Sequence, residues 1–135
     1  RERAVEMRHV NPPTFVGAPP SQGTNYVWCR LKDQVESQEV FLHQCLWTYA
    51  SDMSVLDNAV RPHGRDGPLG PQMMASLDHA VWFHRPVNAN DWSLIDMSGH
   101  GVIASRGLAT GLVFQADGTH VATIAQEGLL RVRRS

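Results

Sequence analysis

Cysteine is scarce in this sequence: Cys29 and Cys45 are the only two among 135 residues, and neither belongs to a CxxC pair. Two cysteines are too few for the disulfide framework of a small secreted scaffold, so both are expected as core thiols. An excess of charge of one sign is also lacking. Twelve Lys and Arg stand against thirteen Asp and Glu, a formal net charge of -1, and no acidic polymer or nucleic acid is implied as a partner. No apolar run approaches the roughly 20 residues that span a bilayer, and no secretory signal pattern is present. A cytoplasmic setting without membrane contact is the expectation. With 42% apolar residues the chain has the composition of one globular domain, long enough to bury roughly two-thirds of its unfolded surface. It begins at Arg1, as an expression product, a proteolytic fragment or the end of a longer protein would.

One further absence is local. No Lys or Arg occurs between Lys32 and Arg61, and a helix in that stretch would have no basic outer face. From about Glu36 to Val60 the residues Leu42, Leu46, Tyr49, Met53 and Leu56 recur in alternating steps of four and three, which predicts one helix face, with Phe41, Cys45 and Val55 extending it sideways. The expectation is a long, largely buried core helix. Val5 to Val10 and Tyr26 to Lys32 read as strands on either side of a Pro/Gly-rich loop, Asn11 to Gly23. A second loop, Arg61 to Gly70, follows the helix. Ala75 to His84, Trp92 to Gly101, Ser105 to Gln115 and Val121 to Arg133 then read as a meander of strands, with a short connection at Gly101 and a strong hairpin signal at Asp117-Gly118. One long helix and a mostly antiparallel sheet give an α+β class. The matching architecture is the hotdog fold, a curved antiparallel sheet wrapped around a central helix.

Asp52 is the first candidate for chemistry, an acid with no cation one turn away on an apolar helix. A carboxylate so placed is hydrogen-bonded by distant chain, neutralised, or open to a cleft, all common for functional acids. The alternative is that Asp52, after Ser51, caps a new helical segment where the long helix breaks. Gln126 is the second candidate, because alternation places its amide on the core face with Ile124 and Leu130; the alternative is a structural Gln satisfying a loop backbone. Ser76 falls, by plain alternation, on the strand face of Asp78, Ala80 and Trp82, with Leu77, His79, Val81 and Phe83 opposite. No GxSxG elbow surrounds it, so a hydrogen-bonding hydroxyl is expected and not a nucleophile. Asp78, His79 and His84 carry no metal-site spacing, and no metal or cofactor is expected. Arg131, Arg133 and Arg134 read as a solvated end.

Four segments together resemble one family: Tyr49-Ala50-Ser51-Asp52, Ser76-Leu77-Asp78-His79, Trp82-Phe83-His84-Arg85-Pro86 and Val121 to Gly128. They are similar to the type II acyl-CoA thioesterases, from about Val5 to Arg131. That family carries two hotdog repeats in one chain, and residues 1-135 resemble the second repeat alone. The resemblance implies a site of Asp52, Ser76 and Gln126, with Ser76 standing where the family commonly has threonine. It further implies hydrolysis of a medium- to long-chain fatty acyl-CoA by a water held by these three groups. The acyl chain would lie beside the helix and the CoA phosphates near basic residues such as Arg85 and Arg106. The alternatives are a non-catalytic acyl-CoA-binding or interaction half of a larger assembly, and a hotdog hydratase, whose Asp/His pair on a helix is not evident. A lone repeat exposes a sheet edge, so a homodimer, a higher homo-oligomer or pairing with a second repeat is expected.

Overall fold

A computed structural model describes residues 3-12, 24-62 and 72-132. The elements, in order, are β1 (Val5–His9), β2 (Asn25–Leu31), α1 (Val40–Ser51), α2 (Asp57–Val60), β3 (Gln72–Phe83), β4 (Ser93–Ile103), β5 (Arg106–Gln115) and β6 (His120–Val132). Most of the two expected loops, Asn11 to Gly23 and Arg61 to Gly70, lies outside the described residues. The six strands form one antiparallel sheet in the order β1-β2-β4-β5-β6-β3, the sheet of the expected hotdog class.

The expected meander holds only for β4, β5 and β6. Gly118, at φ 88°, and a bond from the Gln115 N–H to the Thr119 carbonyl form the predicted β5–β6 hairpin. The β4–β5 turn is not at Gly101. It falls at Ala104 and Ser105, both left-handed at φ 52° and 63°, as a two-residue hairpin turn requires, while Gly101 lies in an irregularity within β4. β3 does not pair with β4. It crosses to the far edge and pairs with β6, because β4 is already flanked by β2 and β5.

The long helix is two pieces. α1 stops at Ser51, residues 52-56 turn, and α2 adds a single turn. Hydroxyls explain where it stops: Thr48 Oγ1 donates to the Gln44 carbonyl at 2.7 Å and Ser51 Oγ to the Thr48 carbonyl at 2.8 Å. Such return bonds compete with the backbone ladder. The buried stripe of α1 is His43, Trp47, Ala50 and Ser51; of the predicted face, Leu46 packs half-buried against the core and Val55 and Leu56 are buried beyond the helix, whereas Tyr49 and Met53 are exposed. Tyr49 is 60% and Phe41 69% exposed, and Cys45 is exposed as well, against its expected core position. Apolar periodicity cannot tell which of two apolar faces meets the sheet. Trp47 decides it, packing edge-on to Phe83 with ring centroids 6.5 Å apart and joining Val27, Ile95, Met97 and Ile124 in the main core.

α2 lies in a trough of small residues. Gly107 of β5 and Gly128 of β6 are cross-strand partners. A Cβ on Gly107 would sit 2.8 Å from Ala59 Cβ, and one on Gly128 only 2.5 Å from the Leu56 methyls. On β4, a side chain at Gly99 would run into the Asn58 carbonyl. The absent side chains let the α2 backbone approach the sheet. They thereby fix the turn that begins at Asp52 over the same patch of sheet as Gln126.

Candidate active site

Gln126 stands on the inner face of β6, 1% exposed, where an amide needs hydrogen-bond partners to offset its lost hydration. It finds two from distant parts of the chain. Its Nε2 donates to Asp52 Oδ1 at 2.6 Å and to Ser76 Oγ at 2.5 Å. The opposite amide orientation would set Oε1 against a carboxylate, so the donor assignment follows from charge. Gln126 Oε1 is buried and has no protein partner among the described residues.

The Asp52 side chain is 56% exposed, a correction to the expectation of an acid inside an apolar helix. It is the residue at which α1 ends, and the end of the helix carries it out of the core. It does not cap α2, whose first turn has Leu56 at the cap position without a side-chain bond. Only Oδ1 is engaged by Gln126, and Oδ2 makes no hydrogen bond among the described residues. A half-open carboxylate with a free oxygen can accept a proton from a molecule arriving from solvent.

Ser76 reaches this point through an irregularity. β3 and β6 pair as Ser76 with Gly128 and then Asp78 with Glu127, so Leu77 is an extra residue, a β-bulge. The bulge reverses the parity of the strand. Ser76 therefore shares the inner face with His79 and Gln126, not the outer face with Asp78 as plain alternation predicts. Asp78 points outward, its Oδ1 accepting from the Glu127 N–H at 3.2 Å.

The sequence weighed His79 only as a metal ligand, yet it belongs to the same cluster. It is the cross-strand partner of Gln126. Its Nε2 lies 2.8 Å from Ser51 Oγ, and its Nδ1 4.0 Å from Asp52 Oδ1. Ser51, fully buried, anchors the ring from the end of α1. The available signal was alternation, which already put His79 on the face of Val81 and Phe83. Among the described residues no group of three His, Cys, Asp or Glu could hold a metal ion. Burial pushes the Cys29 thiol up to about 12, so it is protonated at neutral pH and is no nucleophile.

An aspartate, a hydroxyl and an amide from three separate elements meet at one half-open point on a hotdog sheet. The acyl-CoA thioesterase family profile matches residues 2-129. This chain belongs to the acyl-CoA thioesterase family. It is 33% identical over 133 residues to mouse acyl-coenzyme A thioesterase 8, covering 98% of this chain and 41% of the relative. It is also 33% identical to acyl-CoA thioesterase 2 of Haemophilus influenzae, covering 96% and 45%. Among solved structures it superimposes with TM-score 0.79 and 33% identity on an acyl-CoA thioesterase II, TesB2, from Mycobacterium marinum, covering 96% of this chain and 50% of that one. A hot dog fold protein from Alicyclobacillus acidocaldarius, at TM-score 0.71 and 17% identity, supports the fold. The chain thus spans about half the length of these relatives. In this thioesterase-family chain no helix among the described residues is long and apolar enough to cross a membrane. The two arginines suggested for CoA phosphates are engaged within the chain. Arg85 Nη1 donates to the His120 carbonyl at 2.6 Å, and Arg106 lies 3.9 Å from Glu127.

Proposed function

We propose that this chain is a single hotdog repeat that hydrolyses the thioester of medium- to long-chain fatty acyl-CoA, giving free fatty acid and CoA. The observation that carries this is the Gln126 amide, which donates at once to Asp52 Oδ1 and Ser76 Oγ and so holds an acid and a hydroxyl side by side at an open point. Gln126 spends both amide protons on these residues. Its role shifts from holding water to positioning the two groups that do.

A water bound between Asp52 Oδ2 and Ser76 attacks the thioester carbonyl carbon while Asp52 takes its proton. The C–S bond then breaks and CoA leaves as a thiolate, a good leaving group, so no acyl-enzyme is required. Ser76 Oγ accepts from Gln126, and its own proton is free to donate to the water or to the carbonyl oxygen as charge develops there. The test is release of free thiol from acyl-CoA substrates of increasing chain length, with Asp52→Ala and Gln126→Ala alongside. Both variants should lose turnover while folding normally, and wild-type rates in both would refute the proposal.

The relatives' greater length favours a second reading, an acyl-CoA-binding half without turnover. Tight binding of a non-hydrolysable thioether analogue with no thiol release from the substrate would establish that one instead. Under either reading a partner repeat or a second copy covers the apolar side of α1 at Phe41 and Tyr49 and the β3 edge at Met73, Met74 and Leu77, all exposed here. Light scattering at micromolar concentration should give a dimer or larger; a monomer would contradict it.

A further inference from the structure

We infer that His79 is the proton partner of Asp52, a positioning residue that takes over, through Nδ1, the proton Asp52 receives from the attacking water. The inference starts from the hydroxyl of Ser51. Its single proton is committed to the Thr48 carbonyl at 2.8 Å, so towards His79 Nε2, also at 2.8 Å, Ser51 Oγ acts as acceptor. The neutral imidazole therefore carries its hydrogen on Nε2. Nδ1 is left as a lone pair, buried, with no hydrogen-bond partner among the described residues, and it faces Asp52 Oδ1 at 4.0 Å. Two acceptors facing each other are short of one proton, and a proton placed between them satisfies both. The gap is about 1 Å longer than a hydrogen bond. A rotation of the half-exposed carboxylate can close it, as catalytic contacts commonly tighten when substrate binds.

Nothing else charged competes for the ring among the described residues. α1 presents Ser51 to it, and β6 presents the neutral Gln126. Asp78, Glu127 and Arg106 project from the opposite face of the sheet. The step balances as follows. Water gives a proton to Asp52 and its oxygen forms a bond to the carbonyl carbon. Asp52 passes that proton to Nδ1 and returns to carboxylate. The C–S bond breaks, the thiolate takes the electron pair, and the imidazolium, still donating through Nε2 to Ser51, releases its proton to the thiolate or to solvent. The form competent to begin is the one with neutral imidazole. Acid fills Nδ1 in advance, and kcat falls as pH falls.

This rests on the thioesterase reading for its kinetic arm only. His79→Gln places an amide N–H where Nε2 stood, keeping the bond to Ser51 while removing the titrating Nδ1. The expected result is a kcat lower by about ten- to a hundred-fold, an unchanged KM and melting temperature, and loss of the acid limb of the kcat–pH profile or its displacement to lower pH. A profile with the wild-type shape would overturn the inference. The second arm needs no activity and no variant of His79: ¹⁵N resonances of the wild-type ring, compared with those in Asp52→Asn. The Nε2-protonated tautomer is expected, with an Nδ1 resonance that moves when Asp52→Asn replaces the carboxylate by an amide. The other tautomer, or an Nδ1 resonance indifferent to Asp52→Asn, would overturn it. Should the chain prove inactive, the thioesterase reading and the proton transfer from water fail together, and these resonances alone decide the His79–Asp52 coupling.

Discussion

Two histidines flank α1, and they are treated in opposite ways. His43, in the first turn, is 3% exposed with both ring nitrogens spent on backbone: Nε2 donates to the Ser37 carbonyl at 2.6 Å and Nδ1 accepts from the Ala89 N–H at 3.0 Å. His79 meets the other end of the helix with one nitrogen spent, on Ser51, and the other turned to a carboxylate. A ring saturated by neutral backbone groups has one tautomer and no reason to change it, and serves as a brace between the helix and the loop before β4. A ring with one unspent nitrogen beside an acid can change its protonation without breaking its anchoring bond. The residue type is the same at the two positions and the exposure low at both, 3% for His43 and 16% for the His79 side chain. What differs is the partner of Nδ1.

The contrast can be broken first at the Asp52 end. Asp52→Asn keeps an acceptor for the Gln126 amide and removes the base, and it should lower thiol release by about a thousand-fold, about 4 kcal/mol of barrier. Because Asp52 is 56% exposed, its thermal unfolding should hardly move. Activity within a few-fold of wild type would dissociate the Gln126 cluster from catalysis. At the braced end the signs reverse. His43→Ala strands the buried Ala89 N–H and the Ser37 carbonyl, and should cost about 2–4 kcal/mol in urea unfolding while leaving the kcat–pH profile of the folded fraction unaltered. A shifted profile there would erase the distinction between the two rings.

Smaller effects sharpen the same division. Gly128→Ala pushes a methyl into Leu56, which should destabilise by about 1–3 kcal/mol. Because Gly128 is the cross-strand partner of Ser76 and shares the inner face of β6 with Gln126, the rate should fall too, and Leu56→Ala in the same molecule should recover part of both. The smallest expected effect concerns the thiols. Cys45 should react with iodoacetamide in the folded protein and Cys29 only on unfolding. The Cys29 thiol, held up to about 12 in the fold against an ordinary 9.0, binds its proton more tightly folded than unfolded. Its contribution to stability is full below about 9 and declines as pH rises from 9 towards 12. Cys29→Ala should flatten that alkaline slope in urea melts.

The six strands, the helical region and the Asp117-Gly118 hairpin were legible because alternation, apolar periodicity and turn chemistry are local properties of the chain. Gln126 was legible for the same reason, alternation on β6 being unbroken from Ala122 to Leu130. Ser76 was assigned to the wrong face, because the Leu77 bulge inverts parity and leaves no mark in residue types. The helix face was misplaced because α1 is apolar on two sides and only contact with the sheet selects His43 and Trp47 over Leu42 and Tyr49.

The sequence by itself determined the elements, the absence of charged competitors along α1, and the candidacy of Asp52, Ser76 and Gln126. The tertiary structure decided that β3 crosses to the free edge of β6. It also set the end of α1 at the residue that becomes the acid, and seated α2 on a glycine trough. Those choices are made by long-range pairing and close backbone approach, which depend on what the other strands leave unpaired. They turn His79 from an unused metal-ligand candidate into the neighbour of Asp52.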